Sequence, residues 1–200
     1  FVDICPQTYT LSLEKLPDAI TSRTRAIIPS QTFGCMVDMR QVNRIARDHE
    51  LLVIEQVGSG FGATRKTYPA GSFGHISSLS FPQDGVFAAS GHAGMLLTDD
   101  AEYAQIARLI QNEGQESPGN YPRIGTQCSL SPLQAQHILN LLPAMEQALT
   151  ARQRTAQHYE SLFAASGLLE CEAAGMQLPR VPEESTHSYA AYVIQCSQRD

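Results

Sequence analysis

Lysine is nearly missing from this chain: of 200 residues, only Lys15 and Lys66 carry a side-chain primary amine. Chemistry that needs such an amine as nucleophile therefore has two candidates and no more. Positive charge is not in excess either. The formal net charge is -6, which argues against nucleic acid or an anionic membrane as the main partner, because both attract basic surfaces. No apolar run approaches the roughly 18–20 residues of a membrane span. The five cysteines, Cys5, Cys35, Cys128, Cys171 and Cys196, are odd in number, far apart and without a C-x-x-C pair. Such spacing fits small buried or reduced thiols in a cytoplasmic protein, not a disulfide framework or a zinc site.

What is present reads as globular, with 42% apolar and 17% charged residues. Apolar runs suited to buried strands alternate with segments of helical period. Phe1 to Ile4, Arg25 to Pro29, Leu51 to Glu55, Ile76 to Phe81, Met95 to Thr98 and Tyr192 to Cys196 are the strand candidates. Leu51 to Glu55 is apolar on both faces, as a central parallel strand should be. Asp38 is placed to cap a helix whose Met39, Val42, Ile45 and Ala46 share a face. Asp99 and Asp100 open another, carrying Ile106, Leu109 and Ile110. Ser131 and Pro132 start a long amphipathic stretch to about Ser166, and Pro143 should interrupt it. The order implies an α/β fold with a mainly parallel sheet and helices on both faces. The chain opens inside a strand-like run and ends at Asp200, just after another, so the expectation is a piece of a longer protein.

Bare motifs give little chemistry. Gly58 to Ala63 formally fits G-x-G-x-x-G/A after a strand, but the dinucleotide fingerprint requires a helix next. Thr64 to Gly71 contains Pro69 and two basic residues and reads as a hairpin or loop. The six histidines show no metal spacing, and no G-x-S-x-G turn supports hydrolysis.

A run of motifs in order carries more. F-V-D-I at Phe1, R-A-I-I-P, T-F-G at Thr32, V-D-M at Val37, V-I-E-Q at Val53, G-S-F-G at Gly71, L-S-F at Leu79, N-E-G-Q at Asn112 and H-S-Y-A-A-Y-V-I at His187 resemble the DegT/DnrJ family of sugar aminotransferases. The resemblance implies fold type I. Residues 1–130 would then be the later part of the large cofactor-binding domain, and residues 131–200 the connecting helix and the start of a smaller C-terminal α/β domain. It also implies pyridoxal phosphate as cofactor and a keto-sugar nucleotide as substrate.

In such enzymes a lysine forms a Schiff base with the cofactor, and an aspartate holds the proton on the pyridine nitrogen. Laid over this chain, the aspartate is replaced by Gln56, whose amide can hydrogen-bond the nitrogen but cannot hold its proton by charge. The ring-covering position is Ser59, too small to stack. Ser80 keeps the hydroxyl that would face the phosphate, and Gly85 stands where the lysine should be. No catalytic residue is therefore assigned, and pyridoxal phosphate, if bound at all, would be held non-covalently. Lys15 and Lys66 read as surface charges. His92, seven residues beyond Gly85, reads as a loop histidine. The family's loop that reaches a neighbouring subunit's site is altered at Gly125 to Ser129.

The expectation is a non-catalytic homologue, a homodimer or a heterodimer with an active relative, with a sugar nucleotide as possible ligand. An enzyme with altered chemistry and a decayed aminotransferase fragment are the alternatives.

Overall fold

The computed structural model describes residues 1–81, 91–169 and 175–197. Its elements run α1 (Leu16–Ala19), β1 (Ala26–Ile27), α2 (Met39–Asp48), β2 (Leu52–Gln56), β3 (Thr64–Arg65), β4 (Tyr68–Pro69), β5 (Ile76–Phe81), β6 (Ala93–Leu97), α3 (Ala101–Gln111), α4 (Pro132–Leu141), α5 (Met145–Ser166) and β7 (Ser185–Thr186). One sheet has the order β1-β2-β5-β6. Its first three strands are parallel and β6 returns antiparallel to β5, so the sheet is mixed and mostly parallel.

Local signals set the helix boundaries. The Asp38 carboxylate accepts the backbone N–H groups of Arg40 and Gln41 at 3.1 and 3.3 Å, satisfying donors that the first turn leaves unpaired. Asp100 does the same for Glu102 and Tyr103 ahead of α3. Pro143 lacks the N–H that a continuous helix needs, and a 3-10 turn, Leu142–Ala144, separates α4 from α5.

Alternation along the strands decides which face is covered. Ile27 of β1, Val53 and Glu55 of β2, and Ser77, Leu79 and Phe81 of β5 are buried. Met39, Val42 and Ala46 of α2 pack against Ile27 and Val53. The larger of these side chains, Ile27, Met39, Val42 and Val53, contribute about 1.5–3 kcal/mol each when fully buried. Ile138 of α4, with Leu141 and Met145, packs beside Val57, Ala63, Leu79 and Phe81. The opposite parity presents Leu52, Gln56, Ser78 and Ser80 as exposed residues, with Ile28 and Leu96 also exposed.

A second, three-stranded sheet has the order β4-β3-β7. The Thr64 to Gly71 segment is thus a hairpin, as its proline and turn residues imply, and β7 adds to its edge antiparallel. Two expected strands do not form. Phe1 to Ile4 makes only an isolated bridge from Ile4 to Leu11, and Tyr192 to Cys196 only one from Gln177 to Gln195. Their apolar residues fit a strand, but a strand exists only where a neighbouring chain accepts its hydrogen bonds. No described neighbour supplies a ladder to either run. No helix among the described residues is long and apolar enough to cross a membrane.

Candidate functional site

Parallel α/β sheets place ligands just beyond the carboxyl ends of their strands, and three of the sequence-derived positions lie there. Gln56 is the last residue of β2 and pairs in register with Ser78 of β5. Ser80 lies two residues further along β5, roughly 7 Å on at strand rise, and on the same exposed face. Ser30 bridges to Gln56 from the other side. An amide and the hydroxyls of Ser30, Ser78 and Ser80 therefore gather toward one end of the sheet, all exposed except the half-buried Ser30.

Ser59 sits in the turn Gly58–Gly60 directly after β2. Its hydroxyl donates to the Gln31 carbonyl at 3.1 Å, and its own carbonyl accepts the Ser188 hydroxyl at 2.8 Å. The residue is exposed, but its hydroxyl is turned to backbone. Gly60 is needed at this turn, because a Cβ there would run into the Gln31 side chain.

The charged residue that organises these turns was not singled out by its sequence. Glu55 is fully buried. Its Oε1 accepts the Gln31 Nε2–H group at 2.8 Å and the Gly71 N–H at 2.9 Å. Its Oε2 accepts the Phe73 N–H at 3.1 Å, with the Ser77 hydroxyl at 3.5 Å. Every donor is neutral. Gln31 is equally buried and accepts the Val37 N–H at 2.8 Å with its own Oε1. A carboxylate ending an otherwise apolar strand run, at an inward position, is the signal that could have revealed it.

The segment after β7 closes the other side of the turn. Ser188 N–H donates to Gly34 O at 3.0 Å, and a Cβ on Gly34 would strike the Ser188 hydroxyl. His187 is buried; its Nδ1 accepts the Tyr189 N–H at 2.9 Å, and its ring stacks on Tyr189 with centroids 4.2 Å apart. Burial pushes this imidazole down to about 4, which agrees with an acceptor nitrogen that must stay unprotonated.

Neither amine lies free. Lys15 pairs with Asp3 at 2.6 Å and Lys66 with Glu184 at 3.1 Å, all four side chains well exposed. Gly85, at the lysine position of the resemblance, lies outside the described residues, as does Cys171. His92 is exposed, one residue before β6. Gln127 forms a bridge to Asn112 and donates to the Ser129 hydroxyl at 3.3 Å. Cys35 is buried, and burial first of all raises its thiol to about 11.

Comparison with known proteins identifies relatives of this arrangement. Residues 1–200 match the sequence profile of the DegT/DnrJ/EryC1/StrS aminotransferase family. The chain is 30% identical, over 200 residues, to the UDP-2-acetamido-2-deoxy-3-oxo-D-glucuronate aminotransferase of Pseudomonas aeruginosa, covering 100% of this chain and 54% of that protein. It is 34% identical over 168 residues to the GDP-perosamine synthase of Caulobacter vibrioides, covering 83% of this chain and 45% of that one. A crystal structure of a DegT DnrJ EryC1 StrS aminotransferase from Brucella abortus superposes with a TM-score of 0.88 at 28% identity, covering 100% of this chain and 53% of that chain. The chain spans about half the length of the relatives it matches.

Proposed function

Because the chain belongs to the DegT/DnrJ/EryC1/StrS aminotransferase family, we propose that it is part of a non-catalytic homologue of the aminotransferases acting on nucleotide keto-sugars, kept as a partner subunit. The observation that carries this reading is the state of its amines. Lys15 and Lys66 are both engaged in surface ion pairs, and glycine occupies position 85. An amine held by a carboxylate at the surface is not available as a nucleophile beside Gln56 and Ser80.

The residues at the strand ends fit a non-covalent hold on pyridoxal phosphate. Ser80, with an exposed hydroxyl, would bind a phosphate oxygen, and Gln56 would offer its amide to the pyridine nitrogen. When bound, that cofactor supplies an electron-withdrawing ring. Gln56 would orient this ring without holding a proton on it, since an amide carries no charge. Ser59, whose hydroxyl is turned to Gln31, would leave the ring face uncovered.

Decay of a gene strikes core and site alike. Here Glu55 retains its full set of donors, and Gly34, Gly60 and Gly62 stay where any side chain would collide. Selective loss favours a subunit retained for the surfaces it presents. In the whole protein, residues 1–130 complete the large domain and residues 131–200 lead into the small one. Exposed apolar residues support a two-fold partner contact near α4 and the loop before it: Ile124 is 97% exposed and Leu133 84%. Light scattering of the complete protein, in the cytoplasmic pH range, should give a dimer alone or with an active relative. A monomer in both cases removes the partner role.

The chemical test is direct. The complete protein is incubated with pyridoxal phosphate, reduced with borohydride and digested. No pyridoxyl group should be found on Lys15 or Lys66, and a stoichiometric label on either would overturn the non-catalytic reading.

A further inference from the structure

Gln31 stands at a junction that reaches every part of the candidate site. Its backbone N–H donates to the Gln56 carbonyl at 3.0 Å. Its own carbonyl accepts the Ser59 hydroxyl, and Ser59 in turn accepts Ser188. Its side chain joins Glu55 to the Val37 N–H. Through Glu55 the same network ties down Gly71 and Phe73, in the turn that leads into β5 and so toward Ser80.

The residue types are chemically specified. Four neutral donors converge on Glu55, and only a carboxylate accepts at both oxygens. A glutamine there would set an NH₂ group against one of these donors. Position 31 needs the opposite property, one donor toward Glu55 and one acceptor toward Val37, which an amide supplies and a carboxylate does not. A buried charge without a cation is costly unless its hydrogen bonds are complete, so the turns are held to the carboxylate as firmly as the carboxylate is held to them.

We propose that the buried Gln31–Glu55 pair is the positioning device of this site, fixing the Gly58–Gly60 turn and the 71–73 turn so that Gln56 and Ser80 are presented at the strand ends. Neither residue touches a ligand; both act through the backbone they hold. The proposal rests on the reading of Gln56 and Ser80 as ligand-side residues, but its first test does not depend on any ligand.

The complete protein and its Glu55→Gln variant are compared by amide hydrogen exchange and by titration with pyridoxal 5′-phosphate. Exchange in peptides covering 57–63 and 71–74 should quicken at least tenfold in the variant, while the peptide of α3, which shares no partner with Glu55, is unchanged. Pyridoxal phosphate affinity should fall by a similar factor. Should Glu55→Gln fail to fold, Gln31→Met, which keeps length and loses both hydrogen bonds, decides by the same two measurements. Quickened exchange spread evenly over all peptides would make the pair merely structural and overturn the proposal, as would unchanged exchange in both turns. If the parent protein binds no pyridoxal phosphate but the two turns alone quicken, the positioning role stands and the cofactor reading falls.

Discussion

Gly62 lies directly against Leu149: a Cβ built on the glycine would come within 2.5 Å of the leucine Cδ1, and the glycine holds a φ of +85°. This contact joins the turn after β2 to the first part of α5, elements nearly ninety positions apart in the chain. It gives Gly62, in the glycine-rich run after β2, a packing role. The long helix can approach the turn only because no side chain intervenes.

Two costs are therefore expected for Gly62→Ala. The left-handed backbone costs roughly 1–2 kcal/mol for a residue with a Cβ, and forcing a methyl against Leu149 adds about 1–3 kcal/mol. Shortening the neighbour relieves only the second. Urea unfolding should show Gly62→Ala costing clearly less in a Leu149→Ala background than in the parent, the two sites coupling because they touch. Equal costs in both backgrounds would mean that the helix does not rest on this turn.

Restoring the family's chemistry should need more than one residue. On the proposed reading, Gly85→Lys alone would supply an amine but leave Gln56 as a neutral partner for the pyridine nitrogen. Adding Gln56→Asp supplies the missing charge, so the double variant should bind pyridoxal phosphate measurably better than either single one, with effects that do not add. Absorbance titration checks this. A single Gly85→Lys variant that turned over glutamate as well as the double would remove the role assigned to position 56.

His187 gives the protein a pH dependence of definite sign. Its folded pKa is pushed down by burial, from 6.5 to about 4, so between those values the unfolded chain binds the extra proton. Stability then rises with pH across this window and is lost as pH falls from about 6.5 toward 4. Protonation would also remove the acceptor that Tyr189 N–H uses. Thermal melts from pH 7.5 to 4.5 should show a steeper fall for the parent than for His187→Gln, in which this one titration is gone. Parallel curves would show that the ring is not buried in the folded protein.

The sequence by itself determined most of the local punctuation. Asp38 and Asp100 cap helices because a short carboxylate satisfies first-turn donors wherever it stands. Pro143 interrupts a helix because it has no N–H to give. Pro69 and the glycines around it turn the chain into a hairpin before anything distant is consulted. Gln56 and Ser80 were legible only through the resemblance that the ordered motifs carry, and both fall on the exposed face of their strands.

Only the tertiary structure decided the rest. Phe1 to Ile4 and Tyr192 to Cys196 have strand-like residues but no described neighbour to pair with along their length, whereas the unpromising Ser185–Thr186 becomes a strand because Thr64 and Arg65 present an open edge to it. That the Ser59 hydroxyl donates to the Gln31 carbonyl is likewise visible only in the fold. Glu55 is the sharpest case. In the sequence it is one acidic residue after an apolar run. In the fold it is a buried charge whose donors come from positions 31, 71, 73 and 77, and its role follows from that convergence, because a hydrogen-bond network is a property of distances that only folding brings to 3 Å.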